Sequence, residues 1–172
     1  MKWLAEVKVA GWKGLKEAYS DSVGLRKLDR EQALHRLNEV TRVLRDYKPE
    51  IVQEPSDEEP GLLKVEKEDT AIFVAVYSDS MVVLAKDITG VLDRVLEYKE
   101  ERGLKALLII YSRRGRLGPL CYLFLGGVIR DQEIGVLYIN GSPREVYDVV
   151  REVLEKGEYV VREEDYIKLS EV

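Results

Sequence analysis

Two segments of the chain carry apolar residues at nearly every position, and they constrain the fold more than any other feature. The segment AIFVAVY covers residues 71–77, and the segment KALLIIYS covers residues 105–112. A strand that is apolar on both faces is covered on both sides, so it belongs inside a sheet and not at its edge. The sequence therefore predicts a sheet with at least two central strands.

A clear helix signal precedes the first central strand. Asp29 is followed three residues later by Gln32, which is the spacing of a capping box, and an apolar stripe follows at helical spacing. The pattern predicts a helix over 29–47 that ends before Pro49. Residues 49–61 then contain three prolines and five acidic residues. They predict an acidic, proline-rich loop, because such a segment buries little apolar surface.

Two further helices follow the central strands. The second is predicted over 88–102, with Asp87 or Thr89 as its cap and Gly103 at its left-handed end. The third is predicted over 143–156, where the letters SPRE place a serine cap, a proline at the first helical position and a glutamate at the third. Both helices carry apolar residues along one side, so we expect them to pack on the sheet.

The remaining strands are shorter or less regular, and they complete the predicted fold. We interpret the chain, residues 1–172, as one α+β domain with a mixed, mostly antiparallel sheet of five to seven strands and three main helices. Residues 1–28 are interpreted as a strand followed by an irregular segment. The other predicted strands are 62–65 as a short edge strand, 81–85 after a turn at the letters SDS, 120–130, 134–140, and one or two strands after Gly157.

Composition limits the classes of protein to which the chain can belong. A net charge of −5 over 172 residues argues against a general nucleic-acid coat. Cys121 is the only cysteine, which excludes an internal disulfide and a cysteine-based zinc site. The sequence shows no secretion signal and no apolar run long enough for a membrane span. With 34% charged residues and few amides it resembles hyperthermophile proteins. We expect a cytoplasmic protein without cofactor, metal ion or membrane contact.

The tetrapeptide YSDS occurs twice, at residues 19–22 and 77–80. The order strand, turn, strand, helix recurs around these copies and, more weakly, over 127–157, which suggests a fold built from such units. One interpretation is that Asp21 and Asp79 hold turns, with the second copy at the tip of a two-stranded turn, so that replacing either aspartate costs stability only modestly. The alternatives are a cation held by both carboxylates and coincidence.

No motif in the sequence specifies a catalytic mechanism. His35, the only histidine, lies beside the apolar stripe of the first helix and is expected at the surface. A hydrolase triad is not predicted, because the chain lacks a nucleophile elbow. Glu6 and Lys8 have the E-x-K spacing of metal-dependent nucleases, but no acidic ligand precedes them. Cys121 is expected to be a buried hydrophobic residue. The chain is therefore expected to be non-catalytic, with a nuclease as an unlikely alternative.

One loop concentrates positive charge in an otherwise acidic chain. Arg113, Arg114 and Arg116 follow the second central strand, with two glycines interspersed. Such guanidinium groups can hold phosphate by bidentate hydrogen bonds, as in nucleotide and RNA sites, with help from Lys105 or Arg130. The other interpretation is a solvated hairpin turn whose arginines pair with glutamates or protect two strands from aggregation. No glycine-rich nucleotide motif accompanies the loop.

The predicted order of elements resembles that of the roadblock dynein light-chain domain, which is related to longin and profilin-like folds. The resemblance covers residues 29–157 and consists of a helix, two strands, a helix, three strands and a helix. It implies a non-catalytic module that pairs with itself across the middle helix and the neighbouring strand, and that regulates or scaffolds a small GTPase or a larger assembly. The elements concerned are helix 29–47, strands 70–77 and 81–86, helix 88–102, strands 105–112, 120–130 and 134–140, and helix 143–156.

The middle helix offers an interface for such a homodimer. Val91, Val95 and Tyr98 are expected to face the sheet. The opposite side then carries three residues that can form reciprocal charge pairs across a two-fold axis: Arg94, Glu97 and Glu101. The sequence thus favours a protein-interaction or regulatory module that associates with itself. Nucleic-acid or nucleotide-phosphate binding through the arginine loop is the alternative.

Overall fold

The computed structural model describes residues 28–118, 121 and 134–156, which form an α+β fold with three helices and two sheets. The helices are α1 (Arg30–Val43), α2 (Ala85–Arg102) and α3 (Pro143–Lys156), with a 3₁₀ turn (Arg45–Tyr47) after α1. The strands are β1 (Glu50–Gln53), β2 (Gly61–Lys67), β3 (Thr70–Val76), β4 (Val82–Val83), β5 (Lys105–Ser112), β6 (Arg116–Leu117) and β7 (Gly135–Asn140). The predicted fold class is confirmed.

The main sheet is mixed, with the strand order β1-β2-β3-β5-β7. The pairs β1–β2 and β2–β3 are antiparallel, whereas β3–β5 and β5–β7 are parallel. Half of the strand pairs in this sheet are parallel, whereas the sequence predicts a mostly antiparallel sheet. The pair β3–β5 is parallel because α2 returns the chain to the end of the sheet where β3 begins. The small sheet consists of β4 and β6 in parallel.

Helices cover both faces of the main sheet. β3 lies at its centre and is buried along its whole length. Alternate side chains of β3 enter two separate cores: Val74 belongs to the core that includes α1 and α3, and Phe73 belongs to the core that includes α2. The same division holds along β5, where Ile109 and Leu108 point to opposite faces. The expectation of central strands with two apolar faces is confirmed.

The helix ends follow local signals in the sequence. Asp29 caps α1, since its carboxylate accepts a hydrogen bond of 3.1 Å from the amide three residues on. Asp87, and not Thr89, serves the start of α2, where its carboxylate accepts a hydrogen bond of 2.9 Å from the amide of Leu84. Gly103 ends α2 with φ of 62°, as predicted. None of the helices in the described residues is long and apolar enough to cross a membrane.

Two predictions about the region after α1 are wrong. Residues 50–53, inside the predicted loop 49–61, form β1 and pair with β2. The segment predicted as a short edge strand, 62–65, is part of the longer β2, which lies between β1 and β3 and is buried over 61–65. With four residues β1 is too short to give a periodic pattern in the sequence, and pairing with β2 satisfies its backbone groups.

The predicted two-stranded turn after β3 is also wrong. The predicted strand 81–85 is reduced to the two residues of β4, which pair with β6 and not with β3. In the same way, part of the predicted turn after β5 is the strand β6. The order strand, turn, strand, helix is therefore present here, but its two strands, β3 and β4, do not pair with each other as the repeat implies.

Several predictions concern residues outside the described ones. They are the first YSDS copy with Asp21, the E-x-K pair Glu6 and Lys8, the strand 120–130 apart from Cys121, with Arg130 at its end, and the strands after Gly157. Cys121 is described and is helical, so the prediction of a strand is wrong at this residue.

Candidate functional site at the carboxyl ends of the parallel strands

Three parallel strands end at one edge of the sheet, and this edge gathers polar residues that the sequence analysis singled out. We call it the carboxyl edge and define it by the loops after β3, β5 and β7, which are residues 77–80, 113–115 and 141–142. Ligands of open sheets with parallel strands bind at such edges, typically where the strand order reverses. The described strands follow one another across the sheet in chain order, without a reversal. They therefore do not form the crevice that such a reversal creates.

An ion pair links α1 to the carboxyl edge. Arg36 holds Asp79 through two hydrogen bonds, from Nε to Oδ1 at 2.8 Å and from Nη2 to Oδ2 at 2.7 Å. Each side chain is 13% exposed, and Arg36 Nη1 also donates to Glu39 at 2.9 Å. The hydrogen bonds from Arg36 lower the pKa of Asp79 below its ordinary value, although partial burial opposes this. Asp79 is therefore a carboxylate with both oxygens engaged by one guanidinium group.

The main chain around Asp79 is fastened by two distant segments. The amide of Asp79 donates to Gln32 Oε1 at 2.8 Å, and Ser78 Oγ accepts from the amide of Asp29 at 2.6 Å. The carbonyl of Asp79 accepts from the amide of Arg114 at 2.6 Å. Gln32 thus contacts Asp79 instead of completing a capping box with Asp29. The second YSDS copy joins α1 to the loop after β5, which corrects the interpretation as a hairpin tip.

The cation alternative for Asp79 finds no support at this position. Both carboxylate oxygens face the positive charge of Arg36, which occupies the place of a metal ion. Across 28–118, 121 and 134–156, no group of three or more histidine, cysteine or acidic side chains is placed to hold a metal ion. Asp79 acts here as a structural residue.

The histidine and the cysteine occupy the places that the sequence predicts. His35 is 67% exposed, and its Nε2 lies 2.9 Å from Glu39 Oε1. Cys121 is fully buried and donates a hydrogen bond of 3.1 Å to the carbonyl of Val83. Burial raises the pKa of the Cys121 thiol to about 12, so the reactive thiolate is scarce at neutral pH.

The other polar residues at the carboxyl edge tie its loops together. The buried Tyr111 donates its hydroxyl proton to the carbonyl of Gly141 at 2.9 Å, and burial raises the pKa of this phenol to about 12. Asn140 donates to the carbonyl of Gly115 at 2.7 Å. The first hydrogen bond joins β5 to the loop after β7, and the second joins the end of β7 to the loop after β5, so these side chains stabilise the position of the loops.

Arg113 and Arg114 follow β5, Arg116 begins β6, and all three are exposed. Lys105, which was predicted to assist them, begins β5 at the opposite end of the strand. Among the described residues, no carboxylate lies within ion-pair distance of these three side chains, so the predicted pairing with glutamates is not formed within this part of the chain. The interspersed glycines have a packing role. A Cβ atom at Gly115 would overlap the carbonyl oxygen of Met81, so the chain passes β4 too closely for any side chain there.

The two sides of α2 carry buried and exposed residues as predicted. Val91 and Val95 are buried against the sheet, and Tyr98 is half-buried. The residues proposed for a dimer interface are all exposed: Arg94, Glu97 and Glu101.

The structure adds a polar network that the sequence analysis missed. Lys64, on the largely apolar β2, donates to Tyr98 Oη at 2.6 Å and lies 3.0 Å from Glu50 of β1. Tyr98 in turn donates to Glu66 at 3.0 Å and accepts from Arg102 at 3.1 Å. Burial alone would lower the pKa of Lys64, but its hydrogen bonds to Tyr98 and Glu50 raise it. The signal available in the sequence was a lysine between two apolar residues of β2, Leu63 and Val65.

The outer strand β1 carries the second feature that was missed. Ile51 and Val52 are each 40% exposed, and they are the most exposed large hydrophobic side chains in the described part of the chain. The acidic, proline-rich neighbours of β1 concealed this strand in the sequence.

No known family model matches the chain, and no curated protein or solved structure is significantly similar to it.

Proposed function

We propose that this protein is a non-catalytic interaction module that associates with a second copy of itself through β1 and α2, and that regulates or scaffolds a larger assembly. The observation that carries the proposal is the outer edge of β1. Among the described strands β1 has a neighbour on one side only, and it exposes Ile51 and Val52. An edge with apolar side chains is a template for pairing with another strand. The resemblance of the predicted order of elements to the roadblock dynein light-chain domain implies the same role.

The sequence around β1 limits how such pairing can occur. A two-fold axis brings the same strand of each copy together in antiparallel orientation. Pro49 and Pro55 flank the strand and lack an amide hydrogen, and the register with β2 shifts between Ile51 and Gln53. The pairing therefore covers only a few residues, and a stable dimer needs a second contact surface.

Helix α2 is proposed as that second surface, because a side chain of β2 connects it to β1. Lys64 Nζ bridges the two elements, contacting Tyr98 of α2 and Glu50 of β1. The exposed side of α2 carries both signs of charge, so a two-fold axis can place each positive side chain against a negative one of the partner. The residues concerned are Arg94, Glu97 and Glu101.

Sedimentation velocity tests this proposal. The unsubstituted protein is expected to be a dimer, and the double variant Ile51→Lys, Val52→Lys a monomer with an unchanged circular dichroism spectrum, because the added charges repel across the two-fold axis. Lys67→Ala, at the end of β2, serves as a control that remains dimeric. A monomer at the highest attainable concentration of the unsubstituted protein would refute self-association.

A charge reversal separates the contribution of α2. Arg94→Glu is expected to weaken the dimer, because it places like charges together across the axis. Adding Glu97→Arg and Glu101→Arg to this variant restores the complementarity and should restore the dimer. If all three forms dimerise equally, α2 is not part of the interface.

A further inference from the structure

We infer that the loop carrying Arg113, Arg114 and Arg116 binds a phosphate-bearing ligand. This surface lies at the carboxyl edge and is distinct from β1 and the outer side of α2. All three side chains are exposed, and within residues 28–118, 121 and 134–156 none forms an ion pair with a carboxylate.

The carboxylate beside the loop is already neutralised. Asp79 is close enough for the charges of Arg113 and Arg114 to contribute to lowering its pKa, after the larger effect of Arg36. Both oxygens of Asp79 are nevertheless held by Arg36, at 2.8 and 2.7 Å. The positive charges of the loop therefore remain available to an anion from solution.

The main chain of the loop is held in place from three sides. The amide of Arg114 donates to the carbonyl of Asp79 at 2.6 Å, and the carbonyl of Gly115 accepts from Asn140 at 2.7 Å. The amide of Arg116 donates to the carbonyl of Met81 at 3.2 Å. A main chain that is already fixed loses less conformational entropy on ligand binding than a mobile one. Only the three arginine side chains then need to become ordered.

Phosphate is the anion that this arrangement fits best. The planar guanidinium group matches phosphate oxygens through two parallel hydrogen bonds, and adjacent arginines offer several such forks. Because the chain as a whole carries a charge of −5, a polyanion is repelled by most of its surface and attracted only locally. Two sources share this chemistry, the phosphodiester backbone of a nucleic acid and the phosphates of a free nucleotide.

The experiment measures binding of the full chain to two probes at low salt: a fluorescent single-stranded oligonucleotide by anisotropy, and inorganic pyrophosphate by calorimetry. The triple variant Arg113→Ala, Arg114→Ala, Arg116→Ala is expected to lose at least about tenfold in affinity. It should fold normally, since the contacts that anchor the loop are made by its main chain. A matched triple variant that removes three exposed positive charges elsewhere should bind as the unsubstituted protein does: Arg30→Ala, Lys67→Ala, Lys86→Ala.

The outcomes separate the two sources and decide the inference. Three phosphate contacts to a single strand give a slope of about −2 in a plot of log binding constant against log salt concentration. Oligonucleotide binding with this slope indicates nucleic acid. Binding of pyrophosphate without the oligonucleotide indicates a nucleotide. The inference is overturned if neither probe binds, or if the matched control loses as much affinity as the arginine variant. The arginine variant should remain dimeric, so failure here leaves the proposed self-association unaffected.

Discussion

Replacement of Asp79 by asparagine tests the structural role of the ion pair at the carboxyl edge. The substitution keeps the size of the side chain and removes its charge, which leaves the 13% exposed guanidinium group of Arg36 with only Glu39 as a charged partner. Removing one partner of a buried ion pair costs about 3–5 kcal/mol, because the other charge stays buried. The remaining contact and the residual exposure reduce this, so we expect a loss of about 2–3 kcal/mol in the free energy of unfolding.

Chemical denaturation followed by circular dichroism measures this loss, and thermal melting provides a second readout. For a chain of this length the melting temperature should fall by about 4–12 °C. Asp93→Asn, on the exposed side of α2, removes the same charge and should change the free energy of unfolding by less than about 0.5 kcal/mol. The double variant Arg36→Gln, Asp79→Asn should lose less free energy of unfolding than the two single variants lose together, by about 1–3 kcal/mol.

The pH dependence follows from the sign of the pKa shift. The pKa of Asp79 is lower in the folded state than its ordinary value of 3.8, so the ionised form stabilises the fold at pH above that value. This stabilisation is lost as the pH falls through the lower, folded-state pKa. The difference in the free energy of unfolding between the unsubstituted protein and Asp79→Asn should therefore be constant near neutral pH and become smaller below about pH 4. Equal stability of Asp79→Asn and Asp93→Asn at neutral pH would contradict the reasoning.

Two further predictions concern packing. Cys121 should not react with a thiol reagent in the folded protein at pH 8 and should react fully after unfolding, because it is buried with a thiol pKa of about 12; rapid labelling of the folded protein would show that the site is open. Gly115→Ala should destabilise the protein by about 1–3 kcal/mol in thermal melts, because the new methyl group overlaps the carbonyl of Met81. The control Gly90→Ala, inside α2 and at the surface, should instead stabilise it by about 0.5–1 kcal/mol, and equal effects would exclude the proposed contact.

Some of the candidate site was predictable from the sequence, and the rest depended on distant partners. The concentration of Arg113, Arg114 and Arg116 in one exposed loop is visible in the sequence, and so is the charged outer side of α2. The role of Asp79 was not, because its partner Arg36 lies 43 residues away. The letters SDS predict a local turn, whereas the hydrogen bonds of Asp79 are all to residues far away in the chain.

The elements with strong local signals were determined by the sequence alone. The strands β3 and β5 are apolar on both faces, and the three helices combine an apolar stripe with end signals such as Asp29 and Gly103. These features act within a few residues of the chain, where side-chain spacing and caps decide the conformation. They were enough to predict the fold class.

Only the tertiary structure decided which strands pair, in which direction, and which side chains meet. The four-residue β1 exists because β2 offers it a hydrogen-bonding partner, although the acidic, proline-rich residues around it favour a loop. Lys64 is stable in an apolar strand because Tyr98 and Glu50 reach it from two other elements. In each case the deciding energy is a hydrogen bond or an ion pair with another segment of the chain, which the pattern within one segment does not encode.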